Sequence, residues 1–217
     1  GLGILSLFIF IISQSGNVHH IYSAESHKIS SSRPRPGLFN TLKVLWTIYL
    51  ILTFFAALFF SLEGMSLFDA INHAFTALST GGFSPHDASI AFYAQNNYKH
   101  YKLIEYTVTF FMLLGGINFL IHFRTFTGDI KALWDNVEMR LWWKLLALFI
   151  FLIMLNHLNE TGWINNIIAG QLNGIWEKLE YTFRHTVFQV VSVITTTGFG
   201  TKDLGSPFFP ALAKQLF

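Results

Sequence analysis

Two polar stretches interrupt an otherwise apolar chain, and they offer one kind of chemistry. Residues 78–87 read LSTGGFSPHD and residues 194–203 read ITTTGFGTKD. Laid over each other, Leu78, Ser79, Thr80, Gly81, Gly82, Phe83 and Asp87 meet Ile194, Thr195, Thr196, Thr197, Gly198, Phe199 and Asp203, 116 positions apart throughout (78 to 194, 87 to 203). No catalytic constellation stands out in either. What both supply is backbone oxygen: glycine reaches angles that a β-carbon forbids, so such a loop can turn several carbonyls toward one axis. Carbonyls so arranged replace the hydration shell of a cation. Each loop also follows a short helical pattern, and a helix C-terminus carries about half a negative charge. Both effects favour a cation over an anion.

The elements that position these loops belong in a membrane. A mean hydropathy of +0.45, with 52% hydrophobic residues, 24 Phe and 6 Trp, exceeds what one water-facing core needs. Residues 44–62 form an uncharged run of 19, long enough to cross roughly 30 Å of hydrocarbon. Residues 106–123 give a second such run, and residues 141–159 a third in which Lys144 snorkels to the interface. FDAINHAFTAL, before the first loop, and YTFRHTVFQVVSVI, before the second, are helical in pattern but too short to span, as re-entrant half-helices are. Non-helical backbone at membrane depth survives only where protein covers it or where it lines a wet cavity. The expected fold is therefore an all-α membrane protein built from repeated units of span, re-entrant helix with loop, and span around an ion pore.

Loop charge sets the orientation. Segments 13–43 and 124–144 hold eight of the 14 basic residues, which makes them cytoplasmic by the positive-inside rule. Both glycine-containing loops then open outward. The expected organisation is the end of a preceding repeat at 1–12, a Ser- and Pro-rich cytoplasmic linker at 13–37, and a complete pore repeat at 38–127. A second cytoplasmic linker at 128–140 and a second repeat at 141–217, truncated in its last helix, complete it. The same charge distribution, spread along the chain and flanking apolar runs, argues against nucleic-acid binding. With no Cys there is neither a disulfide framework nor a thiolate metal site. The sequence has no phosphate-binding glycine loop with Lys, no His-Glu-x-x-His and no Gly-x-Ser-x-Gly, so no enzyme is expected.

The paired stretches LSTGGFSPHDAS and ITTTGFGTKD, each after a half-helix and a span, resemble the pore loops of the Trk/Ktr/HKT superfamily of potassium transporters. The resemblance extends over nearly the whole chain, including LKVLWTIYLILT at the first span and FFMLLGGINFLIHF in the second. It implies four repeats around one pore, each giving one filter strand, of which this chain holds about two. It places filter carbonyls at Ser79, Thr80, Gly81 and Gly82 and at Thr195, Thr196, Thr197 and Gly198, with Gly82 and Gly198 in the selectivity position. Glycine there leans toward potassium, since members with Ser in one repeat can favour sodium. The bound species implied is K+, with Rb+ or Na+ as alternatives, and no covalent cofactor. The resemblance further implies multi-pass residence in a bacterial or archaeal inner (plasma) membrane with its lipid, a homodimer of the full subunit, and a cytoplasmic ring of nucleotide-binding regulators. A gating loop belongs to a later part of the family's chain. Alternatives are a sodium-coupled or sodium-selective carrier of the same fold and a His-dependent metal-binding membrane enzyme using His19, His20 and His27.

Several residues carry paired expectations. Phe83, Phe199, Asp87 and Asp203 support the filter; the two aspartates either attract cations to the mouth or cap the loop through its backbone. Arg184 either caps the second half-helix at the interface, beside His185, or bonds a neighbouring loop and fixes the filter. Gly115 and Gly116 permit close helix packing or a kink. Asn118 and His122, one turn apart, line an inner vestibule, or His122 anchors at the interface. GDIKALWDNVEMR is the expected contact for a regulatory partner.

Overall fold

A computed structural model describes residues 38–160, 174–202 and 208. Residues 1–12, the linker 13–37 and Asp203 lie outside the described residues, as do His19, His20 and His27. Every described element is helical, in the order α1 (Leu38–Leu62), α2 (Leu67–Leu78), α3 (Ala91–Gln95), α4 (Tyr101–Gly116), α5 (Phe119–Phe126), α6 (Ala132–Asp135), α7 (Val137–Glu160) and α8 (Ile175–Ile194). Two of these are long and apolar enough to cross a membrane, over Lys43–Leu62 and Val137–Asn159, close to the first and third expected spans. The chain divides into two compact units.

The first unit takes the start of α1, to Leu52, together with Ile117–Arg140. Here the second expected span departs from expectation: it is not one helix. α4 stops at Gly116 and α5 restarts at Phe119, so the pair makes a third crossing only as a broken span. The cause is local. Two glycines of poor helix propensity precede Asn118, whose side-chain Oδ1 accepts from Leu120 N at 3.0 Å and caps the new helix. Asn118 is thus a capping residue and does not share a continuous helical face with His122, which is buried one turn on. α5 ends at Gly128 (φ 104°), where Asp129 N reaches back to Arg124 O at 2.9 Å. The Arg124 guanidinium meets Asp129 Oδ2 at 2.6 Å. The expected linker 128–140 is itself ordered as α6 and the first turn of α7, joined by Arg140 donating to Asp135 O at 2.7 Å and Trp134 O at 3.2 Å.

The second unit, Thr53–Gly116 with residues from Leu141 on, holds both half-helices. α1 ends at Gly64 (φ 103°), and Ser66 then caps α2 by accepting from Asp69 N at 3.1 Å. Along α2, Ala70, Ala74 and Ala77 recur at i, i+4 and i+7 with no exposure, a smooth stripe that lets α4 approach. α4 packs against α8 as well as α2. Phe60 closes on Phe111 edge to face at 5.6 Å, tying α1 to α4. α8 begins at Ile175, six residues before the expected half-helix, because the exposed turn through Glu177 and Lys178 continues the same helix. α7 meets α8 through Ile153 and Val190.

Candidate functional site: two glycine loops at the ends of half-helices

Both loops leave their helices by the same hydrogen bonds. At the end of α2, Ser79 N bonds Phe75 O (3.0 Å), while Gly81 N and Gly82 N converge on Thr76 O (2.8 and 3.2 Å). At the end of α8, Thr195 N bonds Val191 O (2.9 Å), while Thr197 N and Gly198 N converge on Ser192 O (2.8 and 3.3 Å). Extending the repeat back two positions puts Thr76 over Ser192. Their hydroxyls make one further shared contact: Thr76 Oγ1 donates to Phe83 O at 2.8 Å and Ser192 Oγ donates to Phe199 O at 2.7 Å. The alignment read from position 78 missed this pair, though the same 116-residue offset contains it.

Backbone angles alternate in sign along each strand. Ser79 (φ −78°) is followed by Thr80 at φ 52°, then Gly81 outside the positive region, then Gly82 at φ 65°. Thr195 (φ −81°) is followed by Thr196 at φ 58°, Thr197 outside the positive region and Gly198 at φ 90°. Alternation of this kind gathers N–H groups on one edge and leaves the carbonyls on the other. The N–H edge is spent on Thr76 O and Ser192 O. Among the described residues, no donor reaches the carbonyl oxygens of residues 79–82 or 195–198. Threonine in the left-handed region costs on the order of 1–3 kcal/mol, so the geometry is held against a local preference.

The two strands touch. A β-carbon on Gly82 would overlap the Thr197 carbonyl, whereas one on Gly198 would meet nothing within 4 Å of it. Beyond the strands, Gly200 N donates to Ser89 Oγ at 3.2 Å and Ala91 N to Gly200 O at 3.2 Å, pairing the two descending loops. Phe199 is fully buried, with its ring 5.6 Å from His73 of α2, while Phe83 is exposed. Thr195 donates its hydroxyl to Val191 O and receives that of Thr197 at 2.8 Å, which fixes both side chains.

Each descending loop is stapled to its own half-helix, by different residues in the two repeats. In the first, His73 Nδ1 donates to Asp69 O (2.8 Å) and its Nε2 accepts from Ser84 Oγ (3.0 Å), while His86 Nε2 lies 3.2 Å from Asp69 Oδ2 and stacks on Phe92. Burial pushes the His73 imidazole below its ordinary range, in keeping with this neutral arrangement. In the second, His185 Nδ1 lies 2.9 Å from Thr201 Oγ1, and burial, with Arg184 beside it, lowers this imidazole to about 3. Asp87 is exposed and has no side-chain hydrogen bond to the loop backbone among the described residues.

The Arg184 expectation is corrected in its partner. Among the described residues the guanidinium bonds no loop; it pairs with the buried Glu105 of α4 and, at 2.8 Å, with Glu180 of its own helix. Glu63, just beyond the end of α1, accepts from Thr107 Oγ1 of α4, and burial pushes its carboxyl up. Gly115 and Gly116 are close-packing residues: β-carbons there would sit 2.9 Å from the Ala77 and Leu78 carbonyls and 2.5 Å from Thr195 Cγ2. The small side chains let α4 lie directly on the base of both loops. Among the described residues no cluster of three His, Asp or Glu could hold a metal ion.

Half-helices that end inside an apolar helical protein in loops of free carbonyls define a membrane protein of the pore-loop class. The chain belongs to the TrkH family, described as cation transport protein, whose match covers residues 1–208. It is 31% identical over 207 residues to the Trk system potassium uptake protein TrkH of Escherichia coli K12, covering 94% of this chain and 39% of that protein. To the protein of the same name from Vibrio parahaemolyticus it is 34% identical over 209 residues, covering 93% and 39%. The crystal structure of the potassium transporter TrkH from Vibrio parahaemolyticus superposes with a TM-score of 0.67 at 30% identity, over 84% of this chain and 35% of that one. The chain thus spans about two-fifths of the curated relatives it matches.

Proposed function

We propose that this chain supplies two of four filter strands of a potassium uptake subunit in a bacterial or archaeal inner membrane. The carbonyls of Ser79, Thr80, Gly81 and Gly82 and of Thr195, Thr196, Thr197 and Gly198 are its ion ligands. One observation carries the reading: two loops with the same alternating backbone present eight carbonyl oxygens to which no described donor is directed. A dehydrating K+ replaces water with these oxygens, while the C-termini of α2 and α8 add negative potential at the same place. The naming of the relatives as potassium uptake proteins supports K+ as the cargo. Transport through such a filter needs no chemical step by the protein.

Around the filter, Phe199 and Phe83 hold strand ends through the hydroxyl bonds to their carbonyls. Asp87, exposed beyond the first strand, draws cations to the outer mouth, and Asp203, which aligns with it in sequence, takes the same role in the second repeat. Asn118 is the candidate vestibule residue of this reading. The full subunit is a homodimer in lipid, and residues 128–140 contact a cytoplasmic nucleotide-binding regulator; a crosslinking map of the assembled complex showing no contact there would remove that part. The central test is Rb+ uptake into liposomes carrying the complete parent polypeptide, competed by K+ or Na+. Strong competition by K+, weakened by Gly82→Ser or Gly198→Ser, is expected. A K+ preference indifferent to both glycines would refute the filter.

A further inference from the structure

α4 and α8 run parallel and in register. Glu105 of α4 pairs with Arg184 of α8, and three turns further on Gly116 of α4 faces Thr195 at the end of α8; both partners stand 79 positions apart in the chain (105 to 184, 116 to 195). Eleven residues separate the two contacts on each helix, which is about 16 Å at 1.5 Å per residue. The outer contact is charged and sealed: Glu105 is 0% and Arg184 3% exposed. Glu180 and Lys102 extend it outward through bonds of 2.8 and 3.0 Å. The inner contact is steric and lies at the first residue of the filter strand.

We propose that the Glu105–Arg184 pair is a positioning device that sets the axial height of α8 against α4, and through it the height of the Thr195–Gly198 carbonyls. The proposal rests on the filter reading above. Apolar ridges of parallel helices have neighbouring packings that differ by a small slide; α4 and α8 pack together, and the buried residues Val108 and Met112 of the one and Phe188 and Val191 of the other are apolar. A slide by one residue moves the strand about 1.5 Å, enough to take carbonyls off a bound ion. A buried ion pair forbids it, because any displacement leaves an unpaired charge in an apolar surrounding; fixing register is the best-attested use of such pairs. The repeat is asymmetric here. The position of Arg184 is taken in the first repeat by Phe68, which is exposed. Among the described residues, the second strand alone of the two is held by a charge from the neighbouring repeat.

The test separates positioning from stability. In the complete parent polypeptide, Glu105→Leu with Arg184→Met replaces the pair by apolar groups of similar size, an exchange that is often neutral or stabilising. The readout is competition of Rb+ uptake by K+ and Na+, with detergent-solubilised thermal unfolding alongside. Wild-type stability with K+ over Na+ discrimination reduced about tenfold, the equivalent of about 1.4 kcal/mol, is expected. The charge exchange Glu105→Arg with Arg184→Glu should recover part of the discrimination, and recovery supports the proposal even if the apolar pair folds poorly. Wild-type discrimination in the apolar pair, or none recovered in the exchange, overturns it. Gly198→Ser, run in parallel, tells which idea has failed. If it alone alters selectivity, the filter stands and the register device falls; if neither it nor the pair does, both fall.

Discussion

Gly82 lies against the carbonyl of Thr197, one glycine loop on the other, with no room between them for a β-carbon. The equivalent glycine of the second repeat, Gly198, has open space around the same position. Two glycines matched by sequence are therefore required for different reasons. Gly82 answers to a neighbour's backbone, which cannot rotate away, and also to its φ of 65°; Gly198 answers to its φ of 90°.

Gly82→Ala should accordingly cost about 3 kcal/mol or more by overpacking and lower Rb+ uptake more than the same change at Gly198. Gly198→Ala should cost about 1–2 kcal/mol of backbone strain and leave uptake measurable with altered selectivity. Thermal unfolding and liposome uptake on the complete polypeptide check both. Equal effects at the two positions would contradict the strand contact.

Removing the hydroxyl at Thr76 or Ser192 tests the shared brace on the phenylalanine carbonyls. Thr76→Val frees Phe83 O, and about 0.5–1.5 kcal/mol of stability should be lost. Ser192→Ala should cost more, because Ser192 Oγ also accepts from Gly198 N at 3.1 Å and lies buried. If the order of the two losses is reversed, the second bond to Gly198 contributes nothing.

The imidazole of His185 gives a pH signature. Its value in the folded protein, about 3, is below the ordinary 6.5, so the unfolded chain binds the proton more readily. Stability from this group is fully present above pH 6.5 and is lost as pH falls toward 3. His73, lowered in the same direction by burial, adds to the slope. Unfolding temperature of the wild type should fall over this window, and His185→Gln should flatten the fall while keeping a partner for Thr201. An unchanged slope in that variant would show that His185 is protonated in the folded state.

The paired loops were legible in the sequence because repetition at a fixed offset is independent of structure, and glycine marks angles other residues avoid. The first half-helix was legible from its length, whereas the second runs 20 residues and begins six before the pattern suggested. What escaped had distant or averaged causes. The second span was drawn from residue 106 because Glu105 is charged, and that same charge is the partner of Arg184, 79 positions away. Hydropathy also smoothed over Gly115, Gly116 and Asn118, whose combined propensity and capping end one helix and begin another. The buried ion pair is a tertiary consequence and the helix break a local one, and both rest on residues that a window average treats as noise.

The contact at Gly116 offers a test with its own rescue. A β-carbon there would come 2.5 Å from Thr195 Cγ2, a side-chain methyl, whereas at Gly115 it would meet the backbone oxygens of Ala77 and Leu78. Gly116→Ala should destabilise by about 1–3 kcal/mol and lower uptake. Thr195→Ser removes the obstructing methyl but keeps the hydroxyl that donates to Val191 O and receives Thr197, so alone it should cost little. Combined with Gly116→Ala it should recover most of the loss, a coupling of about 1–2 kcal/mol in a double-mutant cycle of thermal unfolding. The same Thr195→Ser change should give Gly115→Ala no relief, since the clash there is with backbone. Additivity at Gly116 would mean that α4 does not rest on Thr195, the first residue of the second loop.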